Sequence, residues 1–249
     1  MDLPVLVLEN NLNSLVLSII IPTLDAESHI GTCLAALQRC AKEKGENGVT
    51  LPEIEIIIVD GGSSDQTKAI AKKAGVKVLD APKGRGTQLD AGAEAARGDW
   101  FLFLHADTRL AGGWQQVVTG FMNNPANPGK AAAFRFALDD ASRAARWLEN
   151  MVAWRCRALA LPYGDQGLLI SKALYTALDG FGTEPLMEDV DFVCRIGRAR
   201  LRILDVPATT SAERYRKGGW VLRPLRNLGC LSLYFLGFPA PMIARLYGR

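Results

Sequence analysis

In the stretch FLFLHADTRL, residues 101–110, large apolar side chains lead directly into His105 and Asp107. An imidazole and a carboxylate two positions apart suit a hard divalent cation, Mn²⁺ or Mg²⁺, if phosphate oxygens and water complete its shell. Three further groups could join such a site. Asp60 ends the run EIEIIIVD, where its carboxylate is desolvated unless N–H donors pair with it, and a nucleobase edge carries such donors. The stretch Gly84-Arg85-Gly86, behind Lys83, offers cations and close backbone approach to a diphosphate at a helix start. Glu188-Asp189-Val190-Asp191 places three carboxylates in four residues, more than a helix N-terminus needs for its dipole, and one beside a hydroxyl would act as a general base. Gly164-Asp165-Gln166-Gly167 adds another acidic turn. Ser63, Ser64 and Asp65 read as capping residues, and Trp147 and Trp154, seven apart, fit a core stripe or a sugar platform.

The elements that must carry these residues are legible from periodicity. LVLSIIIPTL (15–24) and EIEIIIVD (53–60) are continuous β-branched runs, the pattern of strands buried on both faces. VKVLD (76–80) and DWFLFLHAD (99–107) read as further strands. In the latter, alternation places Phe101, Phe103, His105 and Asp107 on one face. Turn chemistry and helical patterns follow each strand, at 25–41, 61–75, 86–97 and 113–124. This alternation predicts an α/β fold, a mostly parallel sheet with helices on both faces, with ligands at the strand C-termini. Residues 131–138, 167–171 and 201–206 read as strands, and 142–159 and 188–200 as helices.

Apolar residues make up 49% of the 249 and charged residues 22%, which excludes a disordered chain. Five scattered cysteines without CxxC fit reduced thiols in the cytoplasm, and two histidines exclude a histidine-rich metal centre. The first 14 residues lack a basic n-region, so no signal peptide is expected. Seven of the 29 Lys/Arg, and none of the Asp/Glu, fall from Arg214 onward. That basic, apolar tail suggests contact with an anionic membrane surface. Asn227, Pro239 and Pro241 interrupt it, so a helical pair is expected rather than a membrane span. Nucleic-acid binding is not expected, because no solvated basic helix face is present. The expected division is 1–213 (a nucleotide-binding half, 15–125, and an acceptor half, 126–213) with an extension over 214–249.

Taken in order, SIIIPTLDAE, EIIIVDGGSSDQT, GRGTQLDAGAEAARGDWFLFLHADT and MEDVDF resemble the family 2 nucleotide-sugar glycosyltransferases of GT-A fold. The GRGTQLDAGA and LHADT forms are similar to a bacterial subgroup. The resemblance implies an inverting, metal-assisted transfer from a nucleoside-diphosphate sugar, a UDP-sugar first, to an acceptor hydroxyl. It implies that Pro22, Thr23 and Glu27 line the nucleotide pocket, that Asp60 binds the base and that Arg85 approaches the diphosphate. His105-Ala106-Asp107 stands where the family has Asp-x-Asp, making Asp107 the principal metal ligand, with His105 a departure that favours Mn²⁺ over Mg²⁺. Asp189 matches the catalytic base, with Glu188 beside it. Asp165, Gln166 and Trp154 are the expected acceptor contacts, the acceptor being unknown and lipid-linked compounds among the candidates. The expected location is cytoplasmic, peripheral at the inner face of the cytoplasmic membrane. A nucleotidyltransferase and a non-catalytic nucleotide- or membrane-binding module remain alternatives.

Overall fold

The computed structural model describes residues 15–40 and 50–247. The N-terminal stretch read for a signal peptide lies outside them. Eight strands form one sheet: β1 Val16–Thr23, β2 Glu53–Asp60, β3 Lys77–Asp80, β4 Trp100–Phe103, β5 Thr108–Leu110, β6 Ala131–Leu138, β7 Leu168–Ser171 and β8 Leu201–Thr210. Their spatial order is β3-β2-β1-β4-β7-β6-β8-β5. Pairing is parallel from β3 through β4 and between β6 and β8, and antiparallel where β7 and β5 join.

Helices cover both faces. On one side lie α1 (Glu27–Cys40), α2 (Thr67–Lys73) and α4 (Trp114–Asn123); on the other, α3 (Arg85–Glu94), α6 (Lys172–Ala177) and α7 (Glu188–Ile196). This explains the unbroken Ile run in β1: Ile19 and Ile21 enter the first core and Ile20 the second, all fully buried. In β4, Leu102 faces the first core while Phe101 and Phe103 face the second.

The long helix α5 (Arg143–Leu159) packs Ala145, Leu148, Val152 and Cys156 against β6 residues Phe136 and Leu138. Its tryptophans are on other faces, Trp147 51% and Trp154 62% exposed, so neither belongs to the core. The basic tail forms α8 (Glu213–Gly218), α9 (Leu222–Phe235) and α10 (Ala240–Tyr247). Gly237, at φ +82°, turns the chain between the last two. Cys230, Ile243 and Ala244 pack with Leu186 just ahead of α7, and Tyr234 Oη donates to Asp191 Oδ1 at 3.2 Å. Among the described residues no helix is long and apolar enough to cross a membrane.

Three differences from the sequence expectation concern the site. The fourth strand stops at Phe103 rather than Asp107: Leu104 N–H still reaches Ile20 O at 3.0 Å, but Thr108 N–H donates back to His105 O at 3.1 Å and closes a turn. Strand alternation therefore does not govern where His105 and Asp107 point. The last strand runs on to Thr210, through a register shift opposite Phe134/Arg135. The helix expected over 188–200 ends at Ile196, where Gly197 takes φ +78°.

Candidate active site

Antiparallel pairing assembles the site from segments remote in sequence. β7 runs against β4 with Phe103 opposite Leu168, so the 3₁₀ turn Gly164–Gln166 ahead of β7 lies beside His105. β5 runs against β8 with Thr108 opposite Thr210, so the chain leaving β8 toward Arg214 emerges beside Asp107. Helix α7 is held to β4 by an aromatic cluster: ring centroids lie 5.0 Å apart for Phe103–Phe181 and 4.5 Å for Phe181–Phe192. At the start of α7, Met187 takes a left-handed φ of +69°, a conformation uncommon for a side-chain-bearing residue and frequent at functional sites.

These constraints converge on an open cavity lined by Arg85, His105, Asp107, Asp165, Glu188 and Asp189, among others. Asp189 Oδ2 accepts from Gly164 N–H at 2.9 Å and Oδ1 from Val190 N–H at 2.8 Å. Gly164 is a glycine for a local reason: a Cβ there would stand 2.7 Å from His105 Nε2 and 3.4 Å from Asp189 Oδ2. Buried Glu188 accepts from Arg85 Nη1 at 2.9 Å. Burial alone would lower the Arg85 pKa, but Glu188, Asp189 and Asp107 around it push it up, so the guanidinium stays charged. Asp191, the third carboxylate of its group, is occupied elsewhere, by Arg195 at 2.8 Å and by Tyr234.

The other expected residues divide. Pro22, Thr23, Glu27 and Asp60 gather where β1 and β2 end, outside this cavity. Asp60 has its donors within the protein: Gly62 and Ser63 N–H at 3.0 and 2.8 Å, Thr23 Oγ1 at 3.0 Å, and Ser63 Oγ. Burial raises its pKa, and these hydrogen bonds outweigh that and hold the carboxyl below its ordinary value. Its desolvation is thus met without a ligand, because the turn after β2 folds its own N–H groups onto the carboxylate. Glu27 accepts from Gln66 N–H at 3.0 Å, joining the loops that start α1 and α2.

Ala106 packs against the first core rather than lining the cavity. Gln166 is also turned inward: its amide donates to Phe134 O at 2.9 Å and accepts from Arg155 at 3.3 Å, so it shapes the turn rather than contacting a ligand. Trp154 lies outside this cavity and lines an adjoining apolar groove that shares Asp165 with it.

Several cavity residues escaped sequence reasoning. Tyr163 lies under the Arg155 guanidinium, 3.4 Å from ring centroid to Cζ. Arg214, Tyr215, Arg223, Asn227 and Tyr247 come from the tail, whose basic character was the one available signal. Gln88, buried in α3, ties that helix to both strand ends by donating to Thr23 O and Val59 O, each at 2.8 Å.

Asp165 is a perturbed carboxyl of the site. Burial pushes its pKa up to about 6, Arg155 opposes this, and Asp189 and Asp107 add to it. A folded-state pKa above the unfolded one stabilises the fold below pH 4, and that contribution is lost as pH rises through 6. In chelator-treated protein, Asp165→Asn is therefore expected to raise Tm at pH 8 by roughly 4–8 °C, from about 2 kcal/mol, with no gain at pH 4. Calorimetric melting at both pH values checks this; equal shifts would mean that Asp165 titrates normally.

Residues 18–137 match the family described as glycosyl transferase family 2. A PGL/p-HBAD biosynthesis glycosyltransferase of Mycobacterium bovis is 34% identical over 100 residues, 37% of this chain and 36% of that protein, and its Mycobacterium tuberculosis counterpart matches equally. The alignment thus spans about a third of those relatives. Among solved structures, TarS of S. aureus superposes with a TM-score of 0.60 at 17% identity, over 94% of this chain and 42% of that one. Glucosyl-3-phosphoglycerate synthase of Mycobacterium tuberculosis, in complex with Mn²⁺ and UDP-glucose, gives 0.59 at 16% identity, over 90% and 80%. Over residues 18–137 the chain is thus similar to glycosyl transferase family 2, and its fold is the GT-A type of those structures.

Proposed function

We propose that this protein is an inverting glycosyltransferase that moves a sugar from a nucleoside-diphosphate sugar, a UDP-sugar first, to an acceptor hydroxyl. The observation that carries the reading is the convergence of Arg85, His105, Asp107, Glu188 and Asp189 on one cavity where β4 ends, in a chain whose residues 18–137 match glycosyl transferase family 2. The UDP and UDP-sugar complexes of TarS and of glucosyl-3-phosphoglycerate synthase support the choice of donor.

In this reading the base and ribose lie against the ends of β1 and β2. Pro22, Thr23 and Glu27 shape that pocket, and Asp60 holds the turn beneath the base. Asp189 takes the acceptor hydroxyl proton as that oxygen attacks the anomeric carbon from the face opposite the departing diphosphate. The nucleoside diphosphate leaves with the bonding pair, so one displacement inverts the configuration and needs no protein nucleophile. Glu188 keeps Arg85 directed at the diphosphate, and Arg214 and Arg223 add positive charge to the same cavity.

Among the described residues no three His, Cys, Asp or Glu side chains group closely enough to hold a metal ion by themselves. His105 and Asp107 line one cavity and fit as the two protein donors to a cation shared with the diphosphate. A bound Mn²⁺ or Mg²⁺ would neutralise the charge that builds on the leaving group. The nitrogen donor favours Mn²⁺.

The decisive test is calorimetric titration of UDP, GDP and dTDP with and without Mn²⁺. One nucleotide should bind in a metal-dependent way, and Asp107→Ala should weaken it at least tenfold. No binding under any condition would leave the fold without a donor site.

The division at 213/214 is kept as part of this proposal, with the tail completing the site rather than standing apart from it. Its outer surface leaves Leu236 73%, Leu246 59% and Phe235 57% exposed. With no acidic residue from Arg214 onward, this is the surface expected to meet the inner face of the cytoplasmic membrane. The protein should sediment with anionic vesicles, and the double change Phe235→Glu, Leu236→Glu should abolish this; unchanged sedimentation would remove the membrane from the account.

A further inference from the structure

Beside the polar cavity runs a second depression, between α5 and the first half of α9. One wall is a helical stripe of Trp147, Met151 and Trp154, and the other is Val221, Leu225 and Leu228. These side chains are largely apolar and, apart from Met151, at least half exposed, an arrangement that leaves apolar surface in water unless something covers it.

The groove and the polar cavity are continuous. Tyr163, Asp165, Tyr215 and Asn227 line both. At that junction two oxygens, Asp165 Oδ1 and Asn227 Oδ1, are buried without a hydrogen-bond partner among the described residues. A buried, unpaired acceptor is costly, and natural proteins rarely keep two together without a ligand to satisfy them. Both are acceptors facing a cavity, so the missing partners are donors, and hydroxyl groups supply them. A ligand that matches has hydroxyls at the junction and an apolar body in the groove.

We propose that the groove is the acceptor site for an amphiphile. Its hydroxylated end donates to Asp165 and Asn227 beside Asp189, and its alkyl or isoprenoid-like body lies between α5 and α9. This rests on the transferase reading and adds the acceptor's chemical class. The arrangement also accounts for the tail's position: α9 forms one wall of the groove while Arg223 and Asn227, on the same helix, enter the polar cavity. Trp154 then contacts the acceptor's apolar body rather than a sugar ring.

The test uses the full chain, with octyl β-glucoside below its micelle concentration and free glucose as probes. Calorimetry and the fluorescence of Trp147 and Trp154 report binding, and Mn²⁺–UDP affinity is measured in parallel. Burial of the alkyl chain should make octyl glucoside bind one site at least ~30-fold more tightly than glucose. Leu228→Glu, at an exposed groove position, should weaken it at least tenfold while UDP affinity stays within twofold, and Trp154→Ala should lose the fluorescence response. Asn227→Ala should weaken octyl glucoside by several fold. Equal affinity for the two sugars, or octyl glucoside binding unmoved by Leu228→Glu, overturns the proposal. So does octyl glucoside that never saturates while phosphatidylcholine vesicles bind the same face, since the groove is then part of a membrane surface. UDP that fails to bind while octyl glucoside does would remove the transfer reading and the acceptor role together. Octyl glucoside failing while UDP binds would remove the groove assignment alone.

Discussion

Asp189→Asn should reduce sugar transfer by about 10²–10⁴-fold, the usual contribution of a positioned general base, while UDP affinity changes by less than about threefold. The substitution keeps the side chain's shape, and its one remaining oxygen can still accept from Gly164 N–H, which meets Asp189 Oδ2 at 2.9 Å. What it loses is the basic oxygen that receives the hydroxyl proton. A lower kcat with unchanged donor binding is the signature of an interaction made in the transition state. The informative comparison is Asp165→Asn, because Asp165 lines the same cavity and its raised pKa makes it the other candidate base. Were Asp189→Asn to retain turnover while Asp165→Asn lost it, the proton would go to Asp165. The rate would then climb through about pH 6 as that carboxyl ionises.

The second large effect is structural. A Cβ on Gly86 would lie 1.9 Å from the carbonyl oxygen of Gly182 and 3.4 Å from Glu188 Cβ. Backbone cannot yield as a side-chain end can, so in Gly86→Ala the start of α3 must move away from the 182 segment. Overpacking of this kind costs about 1–3 kcal/mol, a Tm loss of roughly 3–10 °C for a domain of this size. The same movement withdraws Arg85 from Glu188, now 2.9 Å away, so Mn²⁺–UDP affinity should also fall at least tenfold. Gly120→Ala is the control: a Cβ there meets nothing within 4 Å, and alanine is the better helix former. If Gly86→Ala melted and bound UDP as the unaltered protein does, the close contact between α3 and the 182 segment would not exist in solution.

Much of the fold was legible because strands buried on both faces must be apolar without interruption. The runs at 15–24 and 53–60 therefore announced β1 and β2 closely. β5, three residues long, was not legible, since no period can be read from TRL. The end of β8 was missed because Pro207 suggests a stop, whereas the strand continues to Thr210 past the register shift. The site residues were visible as residue types at strand and helix ends. Their partners were not. Asp60 looked like a carboxylate in need of a ligand, but a turn two and three residues later satisfies it, a matter of local hydrogen geometry rather than composition. Gln166 looked like a ligand contact and is instead held by Phe134 and Arg155.

The sequence by itself determined which segments must be buried, where the chain turns at their ends, and which carboxylates and cations stand there, since burial and periodicity act over a few residues. Only the tertiary structure decided that Gly164 lies against His105 and Asp189, that Arg85 is matched to Glu188, and that the tail supplies Arg223 and Asn227 to the same cavity. Those contacts depend on antiparallel pairing of β7 with β4 and β5 with β8, and on the docking of α9 and α10 beside α7. Such long-range choices are set by how whole faces fit together, and no local period in the chain encodes them.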